Sequence, residues 1–229
     1  MDETKADLEL RRALPPAPRR FQGRFVAVEP LACERHGAAL FASLCGPANA
    51  DLWAYTADGP YVDRDSFLAA LDRKAASPDP LLYALVDQAS GKAAGQAALM
   101  RIDAANGAIE IGSIMFGAPI ARAAAATEAI YLLAKHVFDE LGYRRLEWKC
   151  NERNAASKRA AVRFGFTFEG VFRQHMIVKG RNRDTAWFSM LDGEWPQRRA
   201  AFEAWLAPEN FDAEGRQNAP LGRFMPPSD

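Results

Sequence analysis

The chain has 229 residues, a length that fits one domain with tails. Apolar residues make up 49% and charged residues 25%, the balance of a globular protein, and the formal net charge of zero argues against bulk attraction to nucleic acid or an acidic membrane. Cys33, Cys45 and Cys150 are odd in number and widely spaced, so neither a disulfide framework nor a metal cluster is expected. The acidic start is unlike a secretory leader, and the most apolar window, 118–134, carries Arg122 and Glu128. A cytoplasmic setting follows as the expectation.

Taken in order, residues 1–20 read as an arm, stiffened by Pro15, Pro16 and Pro18 among arginines. Phe25, Val26 and Val28 mark a first strand, and "LACERHGAALFASL" has helical spacing. Residues 45–62 form a loop rich in turn residues and aromatics. A helix near Arg64–Lys74 follows, with Asp63 as its cap. Three strands come next, over 81–87, 92–102 and 108–116. "QASGK" and "DAANG" between them are hairpin turns, so this part of the sheet is antiparallel.

Beyond Pro119 the period changes. Ile130, Leu133, Val137, Phe138 and Leu141 fall on one helical face, and Gly142 stands where a C′ glycine belongs. "YRRLEWKC" (143–150) is a strand, so the helix is a crossover to a parallel neighbour. A short helix Asn154–Phe164 is closed by Gly165. The hairpin "FTFEGVFRQHMIV" and "DTAWFSMLD", turned by "KGRNR", ends the domain, with Glu169 and Asp184 as salt-bridge partners for nearby arginines. Residues 197–229 read as a C-terminal helix and tail. The fold class is α/β, with a mixed, mostly antiparallel central sheet flanked by helices.

Two helix starts can hold a ligand. At "APIARAAAATEA" the first helical amides lack internal partners and the helix dipole is positive, which suits a phosphate. Ala123–Ala126 carry nothing larger than a methyl group, and Arg122 can reach a phosphate oxygen. An ordinary helix start is the other reading of the same residues. In "NERNAASKRAAVRFGFTFEG", Asn154 can cap a helix whose third position is Ser157.

The order of these segments, "EIGSIMF", "ARAAAATEAIYLLAKHVFDELGYRRLEWKC", "NERNAASKRAAVRFGFTFEG" and "KGRNRDTAWFSMLDGEW", resembles the GNAT superfamily of acyl-CoA-dependent N-acyltransferases. Within it the chain is similar to the RimJ/RimL-like branch, over a domain spanning 21–196. The resemblance implies a V-shaped gap between two adjacent parallel strands, holding acetyl-CoA as co-substrate. Its pantetheine arm would pair with the backbone of Ile114, Met115 and Phe116. Its pyrophosphate would meet the amides of Arg122, Ala123, Ala124, Ala125, Ala126 and Thr127. Asn154 would hold the arm, and Lys158 would reach the nucleotide end. Ala125 and Thr127 stand where the family's loop has glycines, so this loop should be more helical. Ala161 stands where many members have a tyrosine that protonates the leaving thiolate; Ser157 is the substitute acid that the branch suggests.

Glu110 matches the acidic position of the family's strand and is the candidate general base, with a salt bridge to Arg101 as its structural alternative. His175 lies on the later strand near the expected acceptor site. Trp53, Tyr55 and Tyr61 interleave with Asp51, Asp58 and Asp63. Such a set suits a cationic amine and is equally a loop pinned by buried aromatics. The implied reaction is direct acetyl transfer to a small-molecule amine or a protein N-terminus, with no metal, no nucleic acid and no membrane, by a monomer or homodimer. The alternative is a non-catalytic acyl-CoA-binding protein with a degenerate site.

Overall fold

The run "LLYALVD" has no polar alternation, and the fold explains why. It is strand β3 (Leu81–Asp87), buried on both faces at the centre of a sheet. Leu81, Tyr83 and Leu85 enter one core, while Leu82 and Ala84 enter another on the opposite face. These relations come from a computed structural model that describes residues 13–226; residues 1–12 of the expected arm and 227–229 of the tail lie outside that range.

Eight strands form one sheet in the order β1-β2-β3-β4-β5-β6-β8-β7. They are β1 (Phe21–Gln22), β2 (Val26–Pro30), β3, β4 (Lys92–Asp103), β5 (Ala108–Phe116), β6 (Arg145–Asn151), β7 (Thr167–Val178) and β8 (Arg181–Leu191). Every pairing is antiparallel except β5 with β6. "QASGK" and "DAANG" turn as expected, with Gly91 and Gly107 at positive φ. "KGRNR" is tighter than expected. Lys179 and Gly180 alone make the turn, both at positive φ as a type I′ turn requires, and Val178 already pairs with Arg181. Arg181, Asn182 and Arg183 are therefore strand residues.

Helices α1 (Cys33–Leu44) and α2 (Arg64–Ala75) cover one face through Leu40, Leu44, Phe67 and Leu71. Asp63 caps α2 by accepting from the Ser66 amide at 2.7 Å. Helices α3 (Ala124–Lys135), α4 (Ala155–Arg163) and α5 (Trp195–Leu206) cover the other through Ile130, Leu133, Ala161, Phe202 and Trp205. Full burial of a side chain such as Leu133 contributes about 1.5–3 kcal/mol. α3 continues as a wide π turn, His136–Glu140, before Gly142 at φ +72 stops it. Ala13 is packed in the α3-side core and the Leu14 amide donates to Leu141, so this part of the arm is part of the domain.

Glu128 on α3 fastens the β1–β2 corner. Its buried carboxylate accepts from the amides of Arg24, Phe25 and Val26 at 2.8, 2.6 and 2.9 Å. Only glycine fits at position 23, where a Cβ would stand 2.4 Å from that carboxylate.

Of the expected pairings in the last hairpin, Glu169 does meet an arginine. Arg145 grips it with both terminal nitrogens, at 2.7 and 2.5 Å. Asp184 instead accepts from the Gln174 amide and the Asn182 side chain.

Candidate active site

β5 and β6 run parallel for only three residue pairs, Ala108–Arg145, Ile109–Leu146 and Glu110–Glu147. Beyond Glu110 the strands part. Ser113, at φ +49, marks an irregularity in the β4–β5 pairing that bends the second half of β5 away. The result is a cleft of about 330 Å³, reached by Ile114 and Met115 from β5, by Trp148 to Asn151 from β6, and by Asn154 and Ser157 from α4.

Alternation along β6 gives the cleft two unlike sides. Leu146, Trp148 and Cys150 point into the core beneath α3 and α4, while Glu147 and Lys149 lie on the other face with Glu110.

On the α4 side, the Asn154 Oδ1 accepts from the Ser157 amide at 3.0 Å, so its amide group remains over the cleft. The Trp148 indole donates to Ser157 Oγ at 3.0 Å. With that lone pair engaged, the Ser157 hydroxyl is held as a donor. Burial pushes the neighbouring Cys150 thiol above its ordinary value, and Ser157, Arg183 and Lys158 pull it only partly back.

α3 starts on the same side of the sheet, next to α4, and its first residues do not themselves line the cleft. Ala123 is its N-cap in extended conformation, with no side-chain cap. The Ala123 amide donates to Ile120, which leaves the amides of Ala124, Ala125 and Ala126 as the unpartnered helical donors. Ala125 and Thr127 are regular helix, and the left-handed residue of the loop is Arg122, exposed at φ +62. Thr127 is buried and accepts from Arg163 at 2.9 Å, so its side chain is turned inward. This start fits an anionic phosphate group: free amides, methyl side chains and one exposed guanidinium. Lys158 pairs with Glu152.

The other side is charged. Glu110, 3% exposed, takes both Arg101 (2.6 Å) and Lys149 (3.1 Å) on Oε2. Its Oε1 is turned toward Gly112, where an added Cβ would lie 2.9 Å away. Lys149 also meets Glu147 at 2.6 Å and lies 3.8 Å from the centre of the Trp187 ring.

The expected acceptor aromatics divide. Trp53 is buried with its indole bonded to the Leu44 carbonyl, and its ring meets Tyr61 edge-on at 5.2 Å. The Tyr61 hydroxyl donates to Asp58, which also takes Lys74 at 2.5 Å. These residues pin the loop 45–62, and Trp53, Asp58 and Lys74 line the cleft as well, whereas Tyr61 does not. Tyr55 reaches the cleft and donates to the Arg153 carbonyl at 3.1 Å. His175 sits beside the cleft on β7, bonded to Thr185 Oγ1 at 3.0 Å, while Met176 and Arg183 line the cleft itself. Sequence reasoning passed over Lys149, Trp148 and Arg183. Alternation in "RLEWKC" separates the first two onto opposite faces, but only the β6–β8 register brings Arg183 to Lys149's face.

A mixed sheet opened between two parallel strands, with a helix start after the first of them, is the GNAT architecture. Residues 29–167 match the family described as acetyltransferase (GNAT) domain. A GCN5-related N-acetyltransferase from Brucella melitensis is 52% identical, with a TM-score of 0.92 over 94% of this chain and 98% of that one. A probable acetyltransferase of the GNAT family from Chromobacterium violaceum is 44% identical, with a TM-score of 0.78 over 86% and 98%. The ribosomal-protein-S5-alanine acetyltransferase from Vibrio fischeri, at 14% identity, covers 77% and 98% with a TM-score of 0.61 and shares the fold. No curated protein matches. The chain belongs to the GNAT acetyltransferase family. Among the described residues no helix is long and apolar enough to cross a membrane.

Proposed function

We propose that the chain moves an acetyl group from acetyl-CoA to a primary amine by direct transfer in a ternary complex, in the manner of the RimJ/RimL-like branch. The observation that carries this is the early end of the β5–β6 pairing, which leaves backbone groups of β5 beyond Glu110 open to an extended ligand. Ile114, Met115 and Phe116 then hold the pantetheine arm as a strand would. The amides of Ala124 to Ala126, with Arg122, receive the pyrophosphate, and Lys158 serves the nucleotide end. Bound acetyl-CoA supplies the activated acyl group.

The chain's own groups do the positioning and the proton work. Asn154 orients the arm through its free amide nitrogen. Glu110, through Oε1, accepts the proton that an alkylammonium must lose before it can attack. The amine nitrogen bonds to the acyl carbon as the carbon–sulfur bond breaks; Ser157 passes its hydroxyl proton to the departing sulfur, and the second proton of the attacking nitrogen, released as the amide forms, returns to Ser157 through solvent. Trp148 keeps that hydroxyl aimed. The acceptor is a small amine or a protein amino terminus, entering from the face that carries Glu110.

Calorimetric titration with acetyl-CoA is the test. Clear binding is expected, weakened about tenfold or more by Arg122→Ala and by Asn154→Ala. No heat at millimolar acetyl-CoA would sink the proposal.

A further inference from the structure

The acceptor face holds more positive charge than its carboxylates use. Next to the cleft, and sharing Tyr55, Asn151 and Arg183 with it, is a second pocket of about 380 Å³. Its lining includes Arg153, Lys179, Arg181 and Arg183, and no carboxylate. Four cations in one small pocket of a chain with zero net charge call for a local counterion.

Arg183 stands where the two cavities join. Its Nε is buried without a hydrogen-bond partner, and its guanidinium forms no salt bridge among the described residues. Leaving such donors unmet is costly. Burial and the like charge of Arg101 both push Arg183 below its ordinary value, partly offset by Cys150 and Glu110. The other charges are held in place around it. Lys179 donates to the Trp53 carbonyl at 2.9 Å, which fixes its ammonium at the rim. Asp184, the nearby acid, is taken up by Gln174 and Asn182. Arg181 and Arg183 are β8 residues because the Lys179–Gly180 turn is so short.

We infer that the acceptor is a small amine that also carries an anionic group, and that Arg183, with Arg181, Arg153 and Lys179, receives that group while the amine reaches Glu110. The inference rests on the acetyl-transfer reading and deepens it. Carboxylate and phosphate share the chemistry of bidentate recognition by guanidinium.

Matched amines decide between them: γ-aminobutyrate against butylamine, and phosphoethanolamine against ethanolamine. Each is titrated into the CoA-saturated protein and assayed for CoA release from acetyl-CoA. The anionic member of at least one pair should bind or turn over at least tenfold better than its neutral partner, and the better pair identifies the anion. In Arg183→Gln that ratio should fall toward one while acetyl-CoA affinity stays unchanged. Arg181→Gln, an exposed change that spares the fold, should lower the ratio in the same direction. Equal behaviour of both pairs in binding and turnover would overturn the inference. So would loss of acetyl-CoA affinity in Arg183→Gln with the ratio intact, which would give the pocket to the co-substrate. Failure of the wild type to bind acetyl-CoA would instead strike the acetyl-transfer reading. The same amines titrated into the free protein would then still report the anion preference.

Discussion

The two sides of the cleft are built from different materials. On the α4 side the groups proposed to meet the co-substrate are backbone amides at the start of α3, small side chains and one serine tied to Trp148. On the opposite side they are charged side chains, Glu110, Lys149, Arg101 and Arg183, packed against one another. Backbone donors bind whatever shares the phosphate and amide chemistry of a common co-substrate. Charged side chains select among partners, so that is where members of one fold can differ.

The sharpest way to break this division is to remove the proposed proton-handling groups one from each side. Ser157→Ala and Glu110→Gln should each lower turnover by about 10²–10⁴-fold, with acetyl-CoA affinity kept in the serine variant. If Ser157→Ala leaves kcat untouched, the α4 side only binds. Next in size, Glu128→Gln should cost about 1–3 kcal/mol of stability by replacing one of the two oxygens that accept from three amides with an NH2 group that faces a donor, with acetyl-CoA affinity unchanged. Chemical denaturation beside calorimetry would show whether that corner is separable from the cleft.

The smallest effect concerns the loop that walls the acceptor face. Burial alone would raise the Asp58 carboxyl, but the bonds from Lys74 and Tyr61 outweigh it and hold it below its ordinary value. A carboxyl depressed on folding contributes stability above its unfolded pKa, near 4, and loses it as pH falls through the folded value. Wild type should therefore melt ~1–3 °C above Asp58→Asn at neutral pH, and the gap should close below about pH 4. A gap that persists at pH 3 would remove Asp58 as the pin of that loop.

Much of the α4 side was legible in the chain. Asn154 and Ser157 stand three apart at a helix start, and "ARAAAATEA" announces an open helix terminus; both are local patterns. Hairpin turns at Gly91 and Gly107 and the stop at Gly142 were legible for the same reason. The left-handed Arg122 was not, because arginine has no preference for that conformation and the surrounding turn imposes it. Nor was the acceptor face. Lys149 meets Glu110 through the parallel pairing of β5 with β6, and Arg183 joins them through the register of β8, contacts between segments far apart in sequence. "KGRNR" misled because a two-residue turn with lysine at positive φ looks like a longer polar loop.

The seam between β5 and β6 has one more consequence. Three residue pairs are all that join the five strands on one side to the three on the other within the sheet. A pantetheine arm lying along β5, as proposed, would lengthen that seam, and the co-substrate would act as a mechanical brace between two half-sheets. Amide hydrogens of β5 and β6 beyond Glu110 would then exchange on a clock set by occupancy, and the melting point would follow the ratio of acetyl-CoA to its dissociation constant.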